Sequence, residues 1–328
     1  MTRRVEILRE SWAYAQPFRI ARATETVLPV IVVRIHGAGG AVGRGEAAGV
    51  DYDGETVAGM VDAVETVAPA IAQGATRADL QSMLPPGGAR NAVDCALWDL
   101  EARETGVRVR DRLGLPPALP IQTAATIGLG DPEATASAVD RLAQWPLLKV
   151  KLDALNPIAT VEQVRARCPE AAIIVDPNQS WTYAQLVAWA PSLAALGVRL
   201  VEQPLARGDD RKLRDYTGPV PLCADESCAT ASDLAALAGL YSHVNIKLDK
   251  CGGLTAALEL KQAAHARGLA VMVGCMAGTS LAMAPALLVA EGAAFVDLDG
   301  PILHAADRPH GLRYGNGMVH PAAPELWG

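Results

Sequence analysis

Short apolar runs alternate with alanine-rich stretches of helical period over the second part of the chain. The eight runs cover residues 121–127, 147–152, 172–176, 198–202, 220–225, 244–248, 270–274 and 294–298. Strands and helices in alternation predict a parallel sheet, because each parallel neighbour needs a crossover connection. Eight such units favour a closed β/α barrel of the TIM type over a doubly wound open sheet. No dinucleotide-binding glycine motif follows the first run, which weakens the open-sheet alternative further.

The first part of the chain opens with a pattern typical of antiparallel strands. Residues 27–35 are rich in β-branched side chains and predict a strand, and the glycines of residues 37–43 predict a hairpin turn after it. These glycines lack the spacing of a phosphate-binding loop. The densely charged segment 17–26 is interpreted as a solvated loop that could also serve as a substrate-facing lid.

Two helices and a linker follow. Apolar residues recur at three- and four-residue steps from Val57 to Val67, and residues 89–103 resume a helical pattern. The proline-rich segment 115–120 then predicts a domain boundary. The sequence therefore indicates an α+β domain of residues 1–117 followed by the barrel.

Composition and charge narrow the class of protein. The 328-residue chain carries a net charge of −7, which disfavours nucleic acid or an anionic membrane as partner. No apolar run is long enough for a membrane helix, and the start does not resemble a signal peptide. The six cysteines are scattered without a Cys-x-x-Cys pair, as expected for free thiols in a reducing cytosol. We therefore expect a cytoplasmic protein that acts on a small molecule and is compatible with a homo-oligomer.

Two lysines share one face of the second predicted strand. Lys149 and Lys151 alternate with apolar residues, and apolar residues also lead into the strand, which indicates burial. A solvated strand edge is the alternative interpretation of such a pair. Burial and mutual repulsion both lower the pKa of a lysine, and a neutral amine is a base.

Charged residues also close the next predicted strands. Asp176, Glu202 and the pair Asp225 and Glu226 each end an apolar run, and Lys247 follows in the run after them. The carboxyl ends of barrel strands are where enzymes of this architecture build active sites. Period-two geometry predicts that only one of Asp225 and Glu226 points inward, without indicating which.

Three carboxylates at one rim repel one another unless a cation lies among them. Oxygen donors alone indicate a hard ion, and Mg²⁺ fits because it takes few carboxylates and leaves positions for substrate. Zinc is the weaker interpretation, because His243 precedes the apolar residues of its strand instead of ending them.

Lys151 and Lys247 belong to the second and sixth predicted strands, which lie on opposite sides of an eight-stranded barrel. Two bases that face each other across a metal suit inversion at a carbon next to a carboxylate. One base removes the α-proton, the other returns a proton to the opposite face, and Mg²⁺ stabilises the enediolate between them. The arrangement predicts a racemase or an epimerase.

The chain resembles the muconate-lactonizing subgroup of the enolase superfamily, and within it the dipeptide epimerases of the L-Ala-D/L-Glu epimerase type. The resemblance covers essentially the whole chain. The segments that carry it are residues 89–100, 149–151, 176–178, 202–204, 224–227, 245–254, 274–276 and 297–301. A Lys base with Mg²⁺ is a known pattern of the superfamily. The resemblance implies a barrel over residues 118–303, an α+β capping domain over 1–117, and a segment 304–328 that returns to it.

The resemblance also implies a set of site residues and one magnesium ion per subunit. The set comprises Lys151 and Lys247 as acid/base residues, Asp176, Glu202 and Asp225 as metal ligands, Thr126, Lys149, Glu25, Cys275, Met276, Asp297 and Asp299 as substrate contacts, and Asn178 and Asp249 behind them. Lys149 would lie near the substrate carboxylate and help to lower the pKa of Lys151. Asp297 and Asp299 mark the dipeptide epimerases, and period two would place both carboxylates on one face, where they receive the α-ammonium of a dipeptide.

One segment departs from the family pattern. In the alanyl-glutamate epimerases a loop arginine pairs with the glutamate side chain of the substrate, but this loop reads Arg22-Ala23-Thr24-Glu25, with Glu25 at that position. A carboxylate there repels an acidic side chain and attracts a basic one. We therefore expect a dipeptide with a neutral or cationic side chain rather than alanyl-glutamate.

Three alternatives stay open. A muconate cycloisomerase or an o-succinylbenzoate synthase would keep the metal and the lysines but would not need Asp297 and Asp299, since its substrate has no α-ammonium. An N-acylamino-acid racemase would not need Asp297 and Asp299 either, since its substrate also has no α-ammonium. A non-catalytic barrel that only binds a ligand predicts the loss of at least one metal ligand or base, and none is lost here.

Overall fold

The structure, a computed structural model, describes residues 3–19 and 24–328. The chain begins with an antiparallel sheet of three strands, β1 (Arg4–Arg19), β2 (Thr24–His36) and β3 (Val42–Ala47). The predicted strand and the glycine turn after it are confirmed, because β2 and β3 pair from His36 opposite Val42 onward.

The predicted loop at residues 17–26 is partly wrong. Strand β1 continues to Arg19 and β2 starts at Thr24, with Phe18 opposite Glu25. An antiparallel pair can extend past the core into solvent, so a high density of charge does not exclude a strand.

Four helices complete the first part of the chain, which we call the cap (described residues up to 114). They are α1 (Val57–Ala72), α2 (Arg77–Met83), α3 (Gly88–Thr105) and α4 (Val109–Arg112). Helix α3 is buried over nearly its whole length, because it packs between β3 and the barrel. Its contact with β3 requires glycine at Gly45, where an added Cβ would lie 2.1 Å from the carbonyl oxygen of Ala92.

Eight parallel strands form the second sheet and confirm the predicted barrel. They are β5 (Ala125–Ile127), β6 (Leu147–Lys151), β7 (Ala172–Asp176), β8 (Val198–Glu202), β9 (Leu222–Ala224), β10 (His243–Ile246), β11 (Ala270–Val273) and β12 (Phe295–Val296), hydrogen-bonded in that order. The N–H of Ala124 donates to the carbonyl of Val296 at 2.8 Å, which joins the last strand to the first.

The first apolar run, residues 121–127, forms two strands instead of the single predicted one. Its start, β4 (Ile121–Gln122), belongs to a separate small sheet, where it pairs with β14 (Met318–Val319), and β14 also pairs with β13 (Tyr314–Gly315). Only the end of the run, β5, enters the barrel. Thr123 accounts for the break: its hydroxyl accepts a hydrogen bond from the N–H of Leu298 at 2.9 Å.

Helices connect the barrel strands. They are α5 (Pro132–Leu142), α6 (Pro157–Arg167), α7 (Tyr183–Ala195), α8 (Leu234–Leu237), α9 (Leu248–Cys251), α10 (Leu254–Ala266), α11 (Ser280–Ala290) and α12 (Gly300–Leu303). Every residue of α11 is buried, so this helix shows no amphipathic stripe. In the described part of the chain, no helix combines the length and the apolar character needed to cross a membrane.

The last residues of the chain pack against the cap. The N–H of Gly328 donates to Asp99 of α3 at 2.8 Å, and the indole of Trp327 donates to the carbonyl of Arg44 at 3.1 Å. These contacts agree with a segment that returns to the cap. The boundaries at residues 117 and 303 stay predictions.

Candidate active site

A cavity lies between the carboxyl ends of the barrel strands and the cap, and we call it the central cavity. It is lined by Tyr14, Phe18, Glu25, Asp51, Tyr52, Thr126, Lys149, Lys151, Asn178, Asp225, Glu226, Lys247, Cys275, Met276, Ala277, Asp297, Asp299 and Leu303. Most of the predicted site residues are therefore brought together. Asp176 and Glu202 are fully buried beneath the floor of the cavity, in contact with its lysines.

The two lysines of β6 lie against these buried carboxylates. Lys149 is surrounded by three of them, with its Nζ 2.8 Å from Glu202, 2.8 Å from Asp297 and 3.2 Å from Asp176. Lys151, two residues further along the strand, donates to Asp176 at 2.6 Å. Lys149 and Lys151 lie on the same side of the strand because side chains two residues apart in a strand point in the same direction.

Lys247 forms the matching contact across the barrel. It directly follows β10, and its Nζ lies 2.7 Å from Asp225 Oδ2. Strands β6 and β10 are separated by three strands on one side of the eight-stranded sheet. Lys151 and Lys247 therefore approach the central cavity from opposite walls.

Asp225 and Glu226 both line the central cavity, so the prediction that only one would point inward is wrong. Strand β9 ends at Ala224, and the alternation of side chains does not continue into the turn that carries the two carboxylates. Asp225 contacts Lys247, and Glu226 lies 3.5 Å from the amide nitrogen of Asn178.

The expected lowering of the pKa of Lys149 by burial does not hold, and the pKa of Lys247 is raised as well. Burial lowers the pKa of Lys149, but Asp297, Glu202 and Asp176 outweigh it and raise the pKa well above its usual range. Burial also lowers the pKa of Lys247, but the nearby carboxylates, above all Asp225, together outweigh burial and raise the pKa well above its usual range. Close carboxylates thus decide the charge of these lysines.

The carboxylates themselves differ in pKa. Burial raises the pKa of Asp176, but Lys151 and Lys149 outweigh it and lower the value to about 2. Burial and the neighbouring Asp176 raise the pKa of Glu202 to about 7. Asp225, between two lysines, has a pKa well below the ordinary range. Among these three carboxylates, the negative charge is therefore concentrated on the two aspartates.

Asp297 and Asp299 meet at one end of the central cavity, but not through the period of a strand as predicted. Strand β12 ends at Val296, and the two carboxylates lie in the following turn, where Thr126 joins them. The backbone N–H of Thr126 donates to Asp299 at 2.7 Å, and its hydroxyl lies 3.5 Å from Asp297. Burial, followed by the charge of Asp297, raises the pKa of Asp299 to about 7.

Cys275 and Met276 line the wall next to these aspartates. Burial and the two carboxylates raise the pKa of the Cys275 thiol to about 12, so the thiol is neutral. The following residue, Ala277, has a φ of 66°, a conformation that a residue with a side chain rarely adopts. This strained turn fixes the wall against the cavity.

The cap contributes the opposite wall. The hydroxyl of Tyr14 donates to Glu25 at 3.1 Å, and the Tyr14 ring stacks on Phe18 with 5.7 Å between ring centroids. Glu25 lines the central cavity, and its role as a substrate contact stays a prediction. The adjoining predicted loop residues Arg22 and Ala23 lie outside the described residues.

The two predicted supporting residues occupy different places. Asn178 lies behind Asp176, to which its backbone N–H donates at 2.9 Å. Asp249 instead joins the barrel to the cap: it accepts from the N–H of Gly49 at 2.9 Å and contacts the side chain of Asn91.

The carboxyl groups of Asp176, Glu202 and Asp225 are suitable donors for Mg²⁺, since they supply buried oxygens at the carboxyl ends of three neighbouring strands. Each directs an oxygen at a lysine ammonium group, so each already faces a positive charge. Within residues 3–19 and 24–328, no three His, Cys, Asp or Glu side chains surround a single point as in a closed metal cage. The donor set fits the ion, with lysine ammonium groups in contact with the oxygens it would use.

Several residues of this site were missed at the level of sequence. Lys250 contacts Asp225 and Asn245 contacts Glu202, while Tyr14 and Tyr52 form part of the cavity wall. Asn245 could have been found, because it precedes Lys247 by two residues on the same strand. The two tyrosines carry no such signal, since they come from the edge of a sheet and from a loop of the cap.

Family models match both parts of the chain. One, described as the mandelate racemase / muconate lactonizing enzyme N-terminal domain, matches residues 2–114. The other, described as enolase C-terminal domain-like, matches residues 133–324. Together they cover the cap and nearly the whole barrel.

Two curated relatives are similar over most of their length. An L-Ala-D/L-Glu epimerase of Escherichia coli strain K12 is 42% identical over 320 residues, which is 97% of this chain and 99% of the relative. An N-acetyl-D-glutamate racemase of a Pseudoalteromonas species is 46% identical over 250 residues, 76% of this chain and 79% of the relative.

Two solved structures share the fold. An enolase family member from Agrobacterium tumefaciens, with homology to dipeptide epimerases and bound sodium and L-Ala-L-Glu, has a TM-score of 0.97 and 46% identity, covering 99% of this chain and 100% of that one. A dipeptide epimerase from Methylococcus capsulatus, complexed with Mg and L-Arg-D-Lys, has a TM-score of 0.88 and 29% identity, covering 98% of both chains.

Proposed function

The chain belongs to the mandelate racemase / muconate lactonizing enzyme family of the enolase superfamily, and from this premise we infer that it is a dipeptide epimerase. Such an isomerase inverts the α-carbon of the C-terminal residue of a dipeptide. The observation that carries the proposal is the position of Lys151 and Lys247 on opposite walls of one cavity, with Asp297 and Asp299 at its end.

We propose that the two lysines act as a pair of acid and base. A neutral Lys151 or Lys247 takes the α-proton, so that a C–H bond breaks and an N–H bond forms. The opposite ammonium group then donates a proton to the other face of the carbon, and a new C–H bond forms with inverted configuration. The aromatic side chains of Tyr14 and Phe18 line the central cavity on the cap side, where they would limit the access of water to the carbanion between these steps.

Asp176, Glu202 and Asp225 would hold a magnesium ion. When bound, Mg²⁺ would supply positive charge to the substrate carboxylate and compete for the carboxylate oxygens that the lysine ammonium groups contact. Lys149 is positioned by Asp176, Glu202 and Asp297 on the floor of the cavity, where its fixed positive charge attracts the same substrate carboxylate.

Asp297 and Asp299 would bind the α-ammonium of the dipeptide. Two carboxylates at one end of the cavity attract a cation, and Thr126 fixes their orientation through its N–H and its hydroxyl. The same residues separate this proposal from the sister activities, since a cycloisomerase substrate carries no ammonium group.

An N-acylamino-acid racemase is the second candidate, and the similarity to an N-acetyl-D-glutamate racemase is the observation that favours it. The paired carboxylates argue against it, because a neutral N-acyl group gains little from Asp297 and Asp299.

We propose further that Glu25 disfavours an acidic side chain at the inverted residue and favours a neutral or cationic one. This specificity would separate the chain from relatives whose names or bound dipeptides contain glutamate. A cytoplasmic location is also proposed, on the basis that all six cysteines are free thiols.

A dipeptide library incubated in D₂O with Mg²⁺ tests the activity directly. Inversion through a carbanion exchanges the α-hydrogen, so accepted dipeptides should gain one deuterium, read by mass spectrometry. N-acylamino acids form the comparison set. Exchange in that set but in no dipeptide would replace the proposed function by the second candidate.

A further inference from the structure

The carboxylates assigned to the metal differ in how their two oxygens are engaged. Glu202 Oε1 accepts a hydrogen bond from the side-chain amide of Asn245 at 2.8 Å, whereas Oε2 faces Lys149 of the central cavity. Asp225 Oδ1 accepts from Lys250 at 2.6 Å, whereas Oδ2 faces the cavity lysine Lys247. In each carboxylate, one oxygen is bound by a residue behind the cavity and the other is directed at it.

Asp176 follows the same pattern with a backbone donor. Its Oδ1 accepts from the N–H of Asn178, and its Oδ2 contacts Lys151 and Lys149. The three neighbouring strand ends therefore present one cavity-side oxygen each.

Lys250 is fixed in this position by its surroundings. It is 4% exposed, and besides Asp225 Oδ1 it donates to the carbonyls of Asp225 at 2.5 Å and of Cys228 and Asn245 at 2.9 Å. These partners lie in the turn after β9 and on the adjacent strand β10. The mechanism gives this buried charge no part in the reaction, since it does not line the central cavity.

Asn245 is equally restricted. It lies on β10, is completely buried, and its backbone pairs with Met272 of β11. An added Cβ at Gly274 would come within 2.8 Å of its side-chain amide, so glycine at this position leaves the space that the amide occupies. Asn245 therefore holds Glu202 Oε1 from a rigid strand.

We propose that Asn245 and Lys250 are positioning residues that restrict Glu202 and Asp225 to one metal oxygen each, and thereby select Mg²⁺ over Ca²⁺. This rests on the proposed metal site. Mg²⁺ is small, requires near-octahedral geometry and is bound through few oxygens, whereas Ca²⁺ takes six to eight and readily uses both oxygens of a carboxylate. Three carboxylates that each present one oxygen suit the smaller ion.

The test compares Mg²⁺ and Ca²⁺ binding to metal-free protein by titration calorimetry, for wild type and Lys250→Met. Both ions carry the same charge, so the lost ammonium strengthens attraction for both alike, and the ratio of their dissociation constants isolates the geometric effect. We expect this ratio to shift toward Ca²⁺ by about 10- to 100-fold, the usual size of effects from residues behind metal ligands. Lys261→Met is the matched control, a partly buried lysine that donates to the carbonyl of Val289 away from the site.

Asn245→Leu provides an independent variant if Lys250→Met does not fold. It conserves size and charge and frees Glu202 Oε1, so the ratio should again move toward Ca²⁺. Thermal unfolding of the metal-free variants separates lost stability from changed selectivity. Folded variants with the wild-type ratio would overturn the positioning role alone, whereas wild-type protein that binds neither ion would overturn the proposed metal site itself.

Discussion

The central cavity has two walls of different origin. The barrel wall consists of charged residues at the ends of regular strands, nearly all buried and paired within hydrogen-bond distance, such as Lys149 with Glu202. The cap wall consists of longer side chains from a hairpin end and a loop, including Tyr14, Glu25 and Tyr52. Opposite charges fix the barrel wall, whereas the stacking of Tyr14 on Phe18 and the hydrogen bond from Tyr14 to Glu25 shape the cap wall.

This difference separates chemistry from recognition. Acid/base and metal-binding groups need positions fixed to fractions of an ångström, which strand ends with buried partners provide. Recognition of varied side chains needs surfaces that can change without loss of the fold, and loops and sheet edges provide them. Substitutions in the barrel wall should therefore abolish turnover, and substitutions in the cap wall should change which dipeptides are turned over.

Removal of the metal should have the largest effect. Exhaustive chelation should abolish epimerisation, Mg²⁺ should restore it, and Asp176→Asn should be nearly inactive even with Mg²⁺, because negative charge developing on the substrate carboxylate is too costly unshielded. Turnover is followed by polarimetry or chiral chromatography. Asp140→Asn is the control, since it makes the same change at an exposed carboxylate that pairs only with Arg167. Full activity after chelation would exclude a metal-dependent mechanism.

Loss of Lys151 or Lys247 should have the second largest effect. Lys151→Ala and Lys247→Ala should each reduce epimerisation by about 10²- to 10⁴-fold, the contribution of a positioned acid or base. One variant should still exchange the α-proton of a single epimer in D₂O, because the remaining lysine deprotonates only from its own side. Deuterium incorporation is measured separately for the two epimers.

The exposed Lys212, paired with Asp209, serves as the control for these substitutions. If either alanine variant epimerises at a rate near wild type, the assignment of two opposed bases is wrong.

The barrel wall could be predicted from the sequence because strand physics determines it. Alternation placed Lys149 and Lys151 on one side, and the ends of the apolar runs located Asp176 and Glu202. The prediction failed where the strands stop, as at Asp225 and Glu226, because side chains no longer alternate in a turn. It also failed for the pKa of Lys149, since burial can be inferred from a sequence but the distance to a carboxylate cannot.

Most residues of the cap wall could not be predicted from the sequence, for a related reason. Phe18 lies opposite Glu25 near the end of the β1–β2 pair, and Tyr14 lies in the irregular part of β1 between Ala13 and Phe18, so regular alternation does not predict that either residue lines the cavity. Glu25 was identified only through the resemblance to a family, not through its own neighbours in the chain.

A change of charge on the cap wall should redirect specificity. Glu25→Arg is expected to raise turnover of alanyl-glutamate and to lower that of basic dipeptides, because a charge pair at contact distance is worth about 1 kcal/mol in water and about 4 kcal/mol near a protein surface. The ratio of kcat/KM between Lys- and Glu-containing dipeptides should thus change by one to several orders of magnitude. Competition between the two dipeptides measures it.

Glu25→Gln removes the charge without reversing it and should give an intermediate ratio. A wild-type enzyme that already prefers alanyl-glutamate, with a ratio unchanged by Glu25→Arg, would show that another residue sets the specificity, for example Arg19 or Arg22.

The smallest expected effect lies where the two regions meet, at Asp249. Burial raises the pKa of this carboxyl to about 7, so the folded protein binds its proton more tightly than the unfolded chain, in which the value is about 4. The contribution of this carboxyl to the free energy of unfolding is therefore most favourable below pH 4, and it is lost as the pH rises toward 7. Asp249→Asn keeps an acceptor for the N–H of Gly49 but cannot ionise, so it should gain stability over wild type between pH 4 and 7, by a few kcal/mol at most.

Urea unfolding of metal-free protein at pH 5 and pH 8 measures this gain. The control Asp249→Ala also loses the hydrogen bond to the cap and should be less stable than Asp249→Asn at both pH values. A difference between Asp249→Asn and wild type that does not vary with pH would mean that the carboxyl is not held neutral between the two regions.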